Sequence, residues 1–266
     1  MKNRIISAIV MIAIFVPLLI IGETPFTVFM TILAVLGLYE LMHIRETRKP
    51  FPLFVKIFAY LIVIFIATSN YKSVEFLYNV DYRAMTLIMF SFLIPMVYID
   101  DTKKYNINDA LFLIGSVLFI GLSFNLLIIT RNADITYIVY LLLITTITDT
   151  FAYFTGLLIG KHKLCPNISP KKTIEGLIGG TFMGTFVASI YYITAIDTTY
   201  PLIIILVMTL FLSLIGQIGD LVFSMIKRYY SRKDFSTLIP GHGGILDRLD
   251  SIIFVALAFV FLLGII

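Results

Sequence analysis

The chain has 266 residues, of which 59% are hydrophobic and only 14% charged, with a formal net charge of +4. Soluble domains carry about 25% charged residues, so this composition, with its mean hydropathy of +1.00, excludes an ordinary water-soluble protein. The apolar runs are continuous and do not alternate, which selects membrane-spanning helices over a β-barrel.

Nine apolar segments follow one another, at residues 5–22, 26–44, 53–70, 84–99, 110–130, 135–158, 176–196, 201–226 and 246–266. They predict an all-α, polytopic integral membrane protein of about nine transmembrane helices. The first segment follows Met1-Lys2-Asn3-Arg4 and resembles a signal peptide. No small-residue cleavage site appears after Leu19, so it reads as a retained span. The fourth is short and contains Pro95, which predicts a tilted, kinked or partial span. Connections are short except at 159–175 and 227–245. No soluble domain or internal repeat is visible. The chain therefore reads as a single membrane-embedded domain, 1–266, with helices of general character over 1–130 and the chemistry-bearing helices and loops over 131–266. The sole cysteine, Cys165, cannot form an intramolecular disulfide and reads as incidental.

Charge tests the span count. With nine spans, alternate connections fall on opposite sides, and all 20 basic residues except Lys72, Arg83 and Arg131 fall on one of them. The positive-inside rule makes that side cytoplasmic, with the N-terminus inside and the C-terminus outside. Topology thus accounts for the isoelectric point near 9.0, and no nucleic-acid partner is needed to explain it. Lys103, Lys104 and the Arg45–Lys49 cluster read as ordinary loop charge facing anionic lipid heads.

Carboxylates inside apolar helices are costly and point to function. Asp149 shares a helical face with Thr145, Gly156 and Gly160. Asp220 lies on a polar stripe with Ser213, Gly216, Gln217 and Ser224. Small residues on these stripes allow close helix approach. Asp220 precedes Lys227 by seven residues, which sets it about 10 Å below the cytoplasmic edge. The last span must begin near Leu246 to cross, which places Asp247 and Asp250 on one face of its first turn. Acidic groups on three helices can thus converge on one cytoplasm-facing cavity. Glu40, near a helix end, reads as snorkelling or pairing with Arg45.

Clustered carboxylates repel unless some are protonated or a hard cation sits among them, and oxygen donors suit Mg²⁺. Lys227, Arg228, Arg232 and Lys233 precede the stretch "GHGGILDRLD", residues 241–250. Its His-Gly-Gly turn runs into a helix start, where free N–H groups and the dipole attract anions. Ser169-Pro170 reads as a second helix start, an N-cap followed by proline at the first helical position, flanked by Lys171 and Lys172. His242 alone is ambiguous between base, ligand and capping donor. Together these features describe metal-assisted phosphoryl or nucleotidyl transfer.

The segment "SMIKRYYSRKDFSTLIPGHGGILDRLD", residues 224–250, resembles the signature of the phosphatidate cytidylyltransferases, the CDP-diacylglycerol synthases. Its fixed positions are filled by Ser224, Lys227, Arg228, Lys233, Asp234, Ser236, Pro240, His242, Gly243, Gly244, Asp247, Arg248 and Asp250. "SPKKTIEG" (169–176) and "TDTFAY" (148–153) resemble two further family segments. Residues 1–130 are matched by general character.

The resemblance implies that CTP and phosphatidic acid give CDP-diacylglycerol and pyrophosphate, with Mg²⁺, in the cell membrane. It implies a metal centre at Asp220 and Asp247. Lys227, Arg228, Lys233 and Arg248 would neutralise phosphate charge, and His242 would orient a phosphate or an aspartate. Ser169, Lys171, Lys172, Thr173, Ser224, Asp234, Gly243, Gly244, Asp250 and Asp149 are the substrate-binding candidates, with the glycines letting backbone donors approach. A homodimer is compatible with the family. Two other readings stay open. A CTP-dependent polyprenol or phytol kinase would release CDP, and a cation-coupled transporter would use Asp149 and Asp220 as its ion site.

Overall fold

A computed structural model describes residues 2–69, 82–196 and 199–263. The end of the third apolar segment at residue 70, Lys72 and the last three residues of the ninth segment lie outside them. Among the described residues there are nine helices. They are α1 (Lys2–Ile21), α2 (Glu23–Glu46), α3 (Leu53–Thr68), α4 (Tyr82–Ile99), α5 (Ile107–Ala133), α6 (Ile135–Ile159), α7 (Ile174–Ala195), α8 (Leu202–Tyr229) and α9 (Leu246–Leu263). Each corresponds to one apolar segment. The fold is helical and membrane-embedded: α1, α2, α5, α6, α7 and α8 are long and apolar enough to cross a bilayer. Helices α3 and α4 are shorter, and α4 continues through Pro95. The 18-residue α9 opens with Asp247, Arg248 and Asp250.

One element departs from an all-α fold. Lys163–Cys165 (β1) and Ser169–Thr173 (β2) form an antiparallel hairpin. The expected helix start at Ser169-Pro170 is therefore incorrect. Residues 169–173 pair with β1, and the helix waits until Ile174. Thr173 is its N-cap, its hydroxyl accepting from Gly176 N at 3.1 Å. Both Ser169-Pro170 and Thr173 carry helix-start chemistry, and strand pairing decides between them.

The chain divides into two units, residues 1–132 with 234–246, and residues 133–233 with 247–266. The first contains α1–α5 and the signature turn. Its α5 starts with a reciprocal cap. Asn106 Oδ1 accepts from Asn108 N and Asp109 N, while Asp109 Oδ2 accepts from Asn106 N at 3.0 Å. The buried Asp109 carboxylate also pairs with Arg45 and with Lys49, the latter at 2.6 Å. Arg45 and Lys49 thus serve a buried ion cluster, not the loose surface charge expected of them. Arg131 closes the end of α1 by donating to Leu19 O and Ile20 O, both at 2.8 Å. Lipid-sized apolar side chains such as Ile5, Ile9 and Ile12 cover the outside of α1.

The second unit holds α6, the hairpin, α7, α8 and the body of α9. Helices α6 and α7 meet almost backbone to backbone. A Cβ at Gly176 would lie 2.6 Å from Ala152 O, one at Gly180 2.6 Å from Thr148 O, and one at Gly184 would collide with the Thr148 hydroxyl. Hydroxyl and amide bonds stitch α8 into the same packing. Thr148 Oγ1 and Ser213 Oγ lie 2.7 Å apart, as do Tyr140 Oη and Thr209 Oγ1, and Gln217 Nε2 donates to Thr181 Oγ1 at 2.9 Å. Gly219 leaves room for the Phe254 ring of α9. Small residues and internally satisfied polar groups are how helices associate where lipid supplies no hydrophobic drive.

Candidate active site

The C-terminal half of α8 carries Gln217, Asp220, Ser224 and Lys227 at steps of three, four and three residues, so all four share a face. Ser224 donates to Asp220 Oδ1 at 3.3 Å. Helix α8 then stops in a Schellman motif: Ser231 adopts φ +55°, Ser231 N donates to Arg228 O, and Arg232 N to Lys227 O, both at 2.9 Å. The stop sets Lys227 and Arg228 in the last turn, where cations complement the helix dipole.

Two ion pairs build the site. Lys172, from β2, reaches Asp220 Oδ2 at 2.6 Å, with both side chains about a quarter exposed, at 25% and 27%. Lys227 reaches Asp247 Oδ1 at 2.7 Å, with side chains only 10% and 3% exposed. The first pair is partly exposed and the second is largely buried. Asp149 of α6 and Asp250 of α9 both lie in the electrostatic field of Asp220. Asp149 also feels Lys172 and faces Ser251, and Asp250 also feels Lys227. Carboxylates from α6, α8 and α9 are thus gathered in one unit, as the residue pattern predicts, with two lysines among them. Asp220 and Asp247 each carry a different lysine, and the carboxylates in the field of Asp220 are Asp149 and Asp250.

Around this centre the remaining candidates separate. Lys171, Lys233, Asp234 and Arg248 are exposed, and Ser169 is half-buried on β2. Arg228 is held by backbone, donating to Ile168 O at 3.2 Å and Arg232 O at 2.9 Å, so it knots the end of α8 to the hairpin. Thr173 is a buried helix cap, which gives it a structural task at the head of α7. Glu175 closes the loop before the hairpin, accepting from Lys161 N, His162 N and His162 Nδ1. Gly160, expected on the face of Asp149, lies beyond the end of α6.

The His-Gly-Gly turn, in the other unit, differs most from expectation. Its backbone donors are already used. His242 N and Gly243 N donate to Ile239 O at 2.9 and 3.2 Å, and Ile239 N returns a bond to Gly243 O at 2.8 Å. At the start of α9, Ile245 N and Leu246 N donate to the carboxylate of Glu40 at 2.8 and 2.9 Å. Ser236 Oγ adds a third donor at 2.6 Å. Ile245 N, Leu246 N and Gly243 N are thus already hydrogen-bonded within the protein. Gly243 adopts φ +84°, in the region glycine tolerates best. A Cβ at Gly244 would collide with the Glu40 carboxylate. Glu40 does not pair with Arg45, which binds Asp109 instead. The signal that could have found Glu40 is its charge, standing six residues inside an apolar helix. The Nδ1 of His242 is buried without a hydrogen-bond partner among the described residues.

Residues 2–266 match the model of the cytidylyltransferase family. The chain belongs to that family. Among similar proteins, the phosphatidate cytidylyltransferase of Bacillus subtilis (strain 168) is 36% identical over 269 residues, covering 99% of this chain and 98% of the relative. Those of Staphylococcus haemolyticus (strain JCSC1435) and Staphylococcus aureus (strain COL) are 37% and 38% identical, each covering 96% of both chains. Family membership extends over the N-terminal helices too, which places Glu40 within the matched region alongside the Asp220 cluster and the hairpin.

Proposed function

We propose that this chain is a membrane phosphatidate cytidylyltransferase, converting CTP and phosphatidic acid to CDP-diacylglycerol and pyrophosphate. The observation that carries the proposal is near-full-length similarity to relatives of that name, joined to a lysine–carboxylate cluster of the kind that nucleotidyl transfer needs. An oxygen of the lipid phosphate, anionic at neutral pH, attacks the α-phosphorus of CTP. The α–β phosphoanhydride bond breaks and pyrophosphate leaves, so no strong general base is required. Lys172 and Lys227 offer positive charge beside Asp220 and Asp247. Exposed Lys171, Lys233 and Arg248 extend that charge towards solvent.

Mg²⁺ fits the donor set. The site offers carboxylate oxygens, with Asp149 exposed and Asp220 partly so. Among the described residues no group of three or more His, Cys, Asp or Glu side chains could hold a metal ion. Mg²⁺ is ordinarily held by one or two carboxylates completed by substrate phosphates, so Asp220 would hold it with Asp149, Asp250 or Asp247 beside it. When bound, the ion supplies positive charge for the phosphates and the departing pyrophosphate. The nine helices would all span, with the N-terminus cytoplasmic and the C-terminus outside, as the charge asymmetry supports. CTP and the lipid headgroup would then meet at the cytoplasmic leaflet.

The deciding assay supplies phosphatidic acid, CTP and Mg²⁺ to the detergent-purified protein, with Asp220→Asn alongside. Equal amounts of pyrophosphate and CDP-diacylglycerol from the wild type, and none from a folded Asp220→Asn, are expected. Release of CDP in place of pyrophosphate would establish the lipid-kinase reading. Product from Asp220→Asn at near-normal rate would overturn the metal assignment.

A further inference from the structure

Glu40 is fully buried, and a charge removed from water persists only where donors surround it. Three donors converge on it from one segment: Ser236 Oγ and Ile245 N on Oε1, and Leu246 N on Oε2. One of them, Leu246 N, is the first amide of α9, at the positive end of a helix dipole, and Ile245 N immediately precedes it. An anion at this end of α9 is therefore already present, and it belongs to the protein. The geometry of Gly244 says the same, because any side chain there would meet the Glu40 carboxylate. The amides of His242 and Gly243 are likewise closed within the turn. Leu246 begins α9, and Asp247, the residue bound by Lys227, is its next residue.

We infer that Glu40 is a positioning residue: an internal anion that takes the phosphate-like place at the head of α9, locks the signature turn, and sets where α9 starts and hence where Asp247 and Arg248 stand. The amides of Ile245 and Leu246 then hold a protein carboxylate, those of His242 and Gly243 a carbonyl of the turn, and substrate phosphates are met by side chains. This inference rests on the cytidylyltransfer reading for its catalytic consequence. Its structural half can be measured without turnover.

The test compares wild type, Glu40→Gln and Ser236→Ala, each purified in detergent, by two readouts. Hydrogen exchange reads the amides of residues 242–246. Steady-state kinetics reads kcat and the KM for CTP separately. In Glu40→Gln an amide group faces two N–H donors, so exchange at Ile245 and Leu246 speeds up while the middle of α8 stays protected. Misplacing the start of α9 lowers kcat by about tenfold or more. The KM for CTP stays within about threefold, because uniform substrate binding is untouched. Ser236→Ala removes one donor from a loop position and produces the same pattern in smaller measure, which keeps the test decisive if Glu40→Gln fails to insert. A raised KM for CTP with kcat intact would overturn the inference, since the turn would then be a phosphate cradle. Unchanged exchange at Ile245 and Leu246, or faster exchange with unchanged kcat, would overturn it too. A wild type that forms neither CDP-diacylglycerol nor pyrophosphate sinks the proposed function instead, and the exchange data still decide the role of Glu40.

Discussion

Lys227 and Asp247 are 20 residues apart in sequence, and their side chains meet at 2.7 Å where both are almost wholly buried. The bond ties the last turn of α8 to the first turn of α9. Its burial makes the two partners unequal to mutate singly and together.

Removing Lys227 strands the Asp247 carboxylate away from water. Lys227→Met should destabilise the protein by about 3–5 kcal/mol, the usual cost of breaking a buried pair. Lys227→Met with Asp247→Asn should recover most of that, since neither charge remains. Thermal unfolding of the three variants in detergent checks the order. Activity should stay lost in the double variant, which separates the fold requirement from the chemical one.

Asp109 is as deeply buried, and its partners Arg45 and Lys49 and its cap on α5 all belong to the first unit. Asp109→Asn should cost about 2 kcal/mol, the scale of losing charged hydrogen bonds. Its kcat per folded molecule should equal that of the wild type. A fall in kcat at full folding would give Asp109 a catalytic task that its surroundings do not suggest.

Ser231 holds a left-handed conformation to close α8, at a position where glycine pays no Cβ penalty. Ser231→Gly should raise stability by about 1 kcal/mol. A lowered unfolding midpoint would mean that the serine side chain contributes more than the backbone strain costs.

Cys165 is the one cysteine of the chain, half-buried on the hairpin. On the proposed topology, with the N-terminus cytoplasmic, this hairpin would face the cytoplasm. A membrane-impermeant maleimide should label the protein in inverted vesicles and leave it unlabelled in intact cells. Labelling from outside would reverse the orientation of the whole chain.

The helices were legible because continuous apolar runs and their breaks leave little choice in lipid, and all nine segments became helices. The carboxylate gathering was legible for a related reason: Asp149, Asp220 and Asp250 are too costly in apolar helices to be incidental. The hairpin at 163–173 was not, because its strands are short and polar, and Ser169-Pro170 imitates a helix start. Glu40 was misread because the spacing of Arg45 offers a local partner, whereas its real partners, Ser236, Ile245 and Leu246, come from some 200 residues further along the chain. Local chemistry proposes partners, and only the tertiary fold selects among them. The same limit applies to the turn, where the sequence does not show that the Glu40 carboxylate fills the space beside Gly244.

The glycine seam between α6 and α7 bears on how such an enzyme can diversify. Asp149 is anchored on one wall of the seam, and Lys172 lies two residues ahead of the other. Where walls touch through backbone, there is no side chain to trim or enlarge, so the gauge between them cannot be tuned by point substitution. Accommodating a bulkier or more slender lipid must then fall to surfaces away from the seam, while the spacing of Asp149 and Lys172 is inherited unchanged.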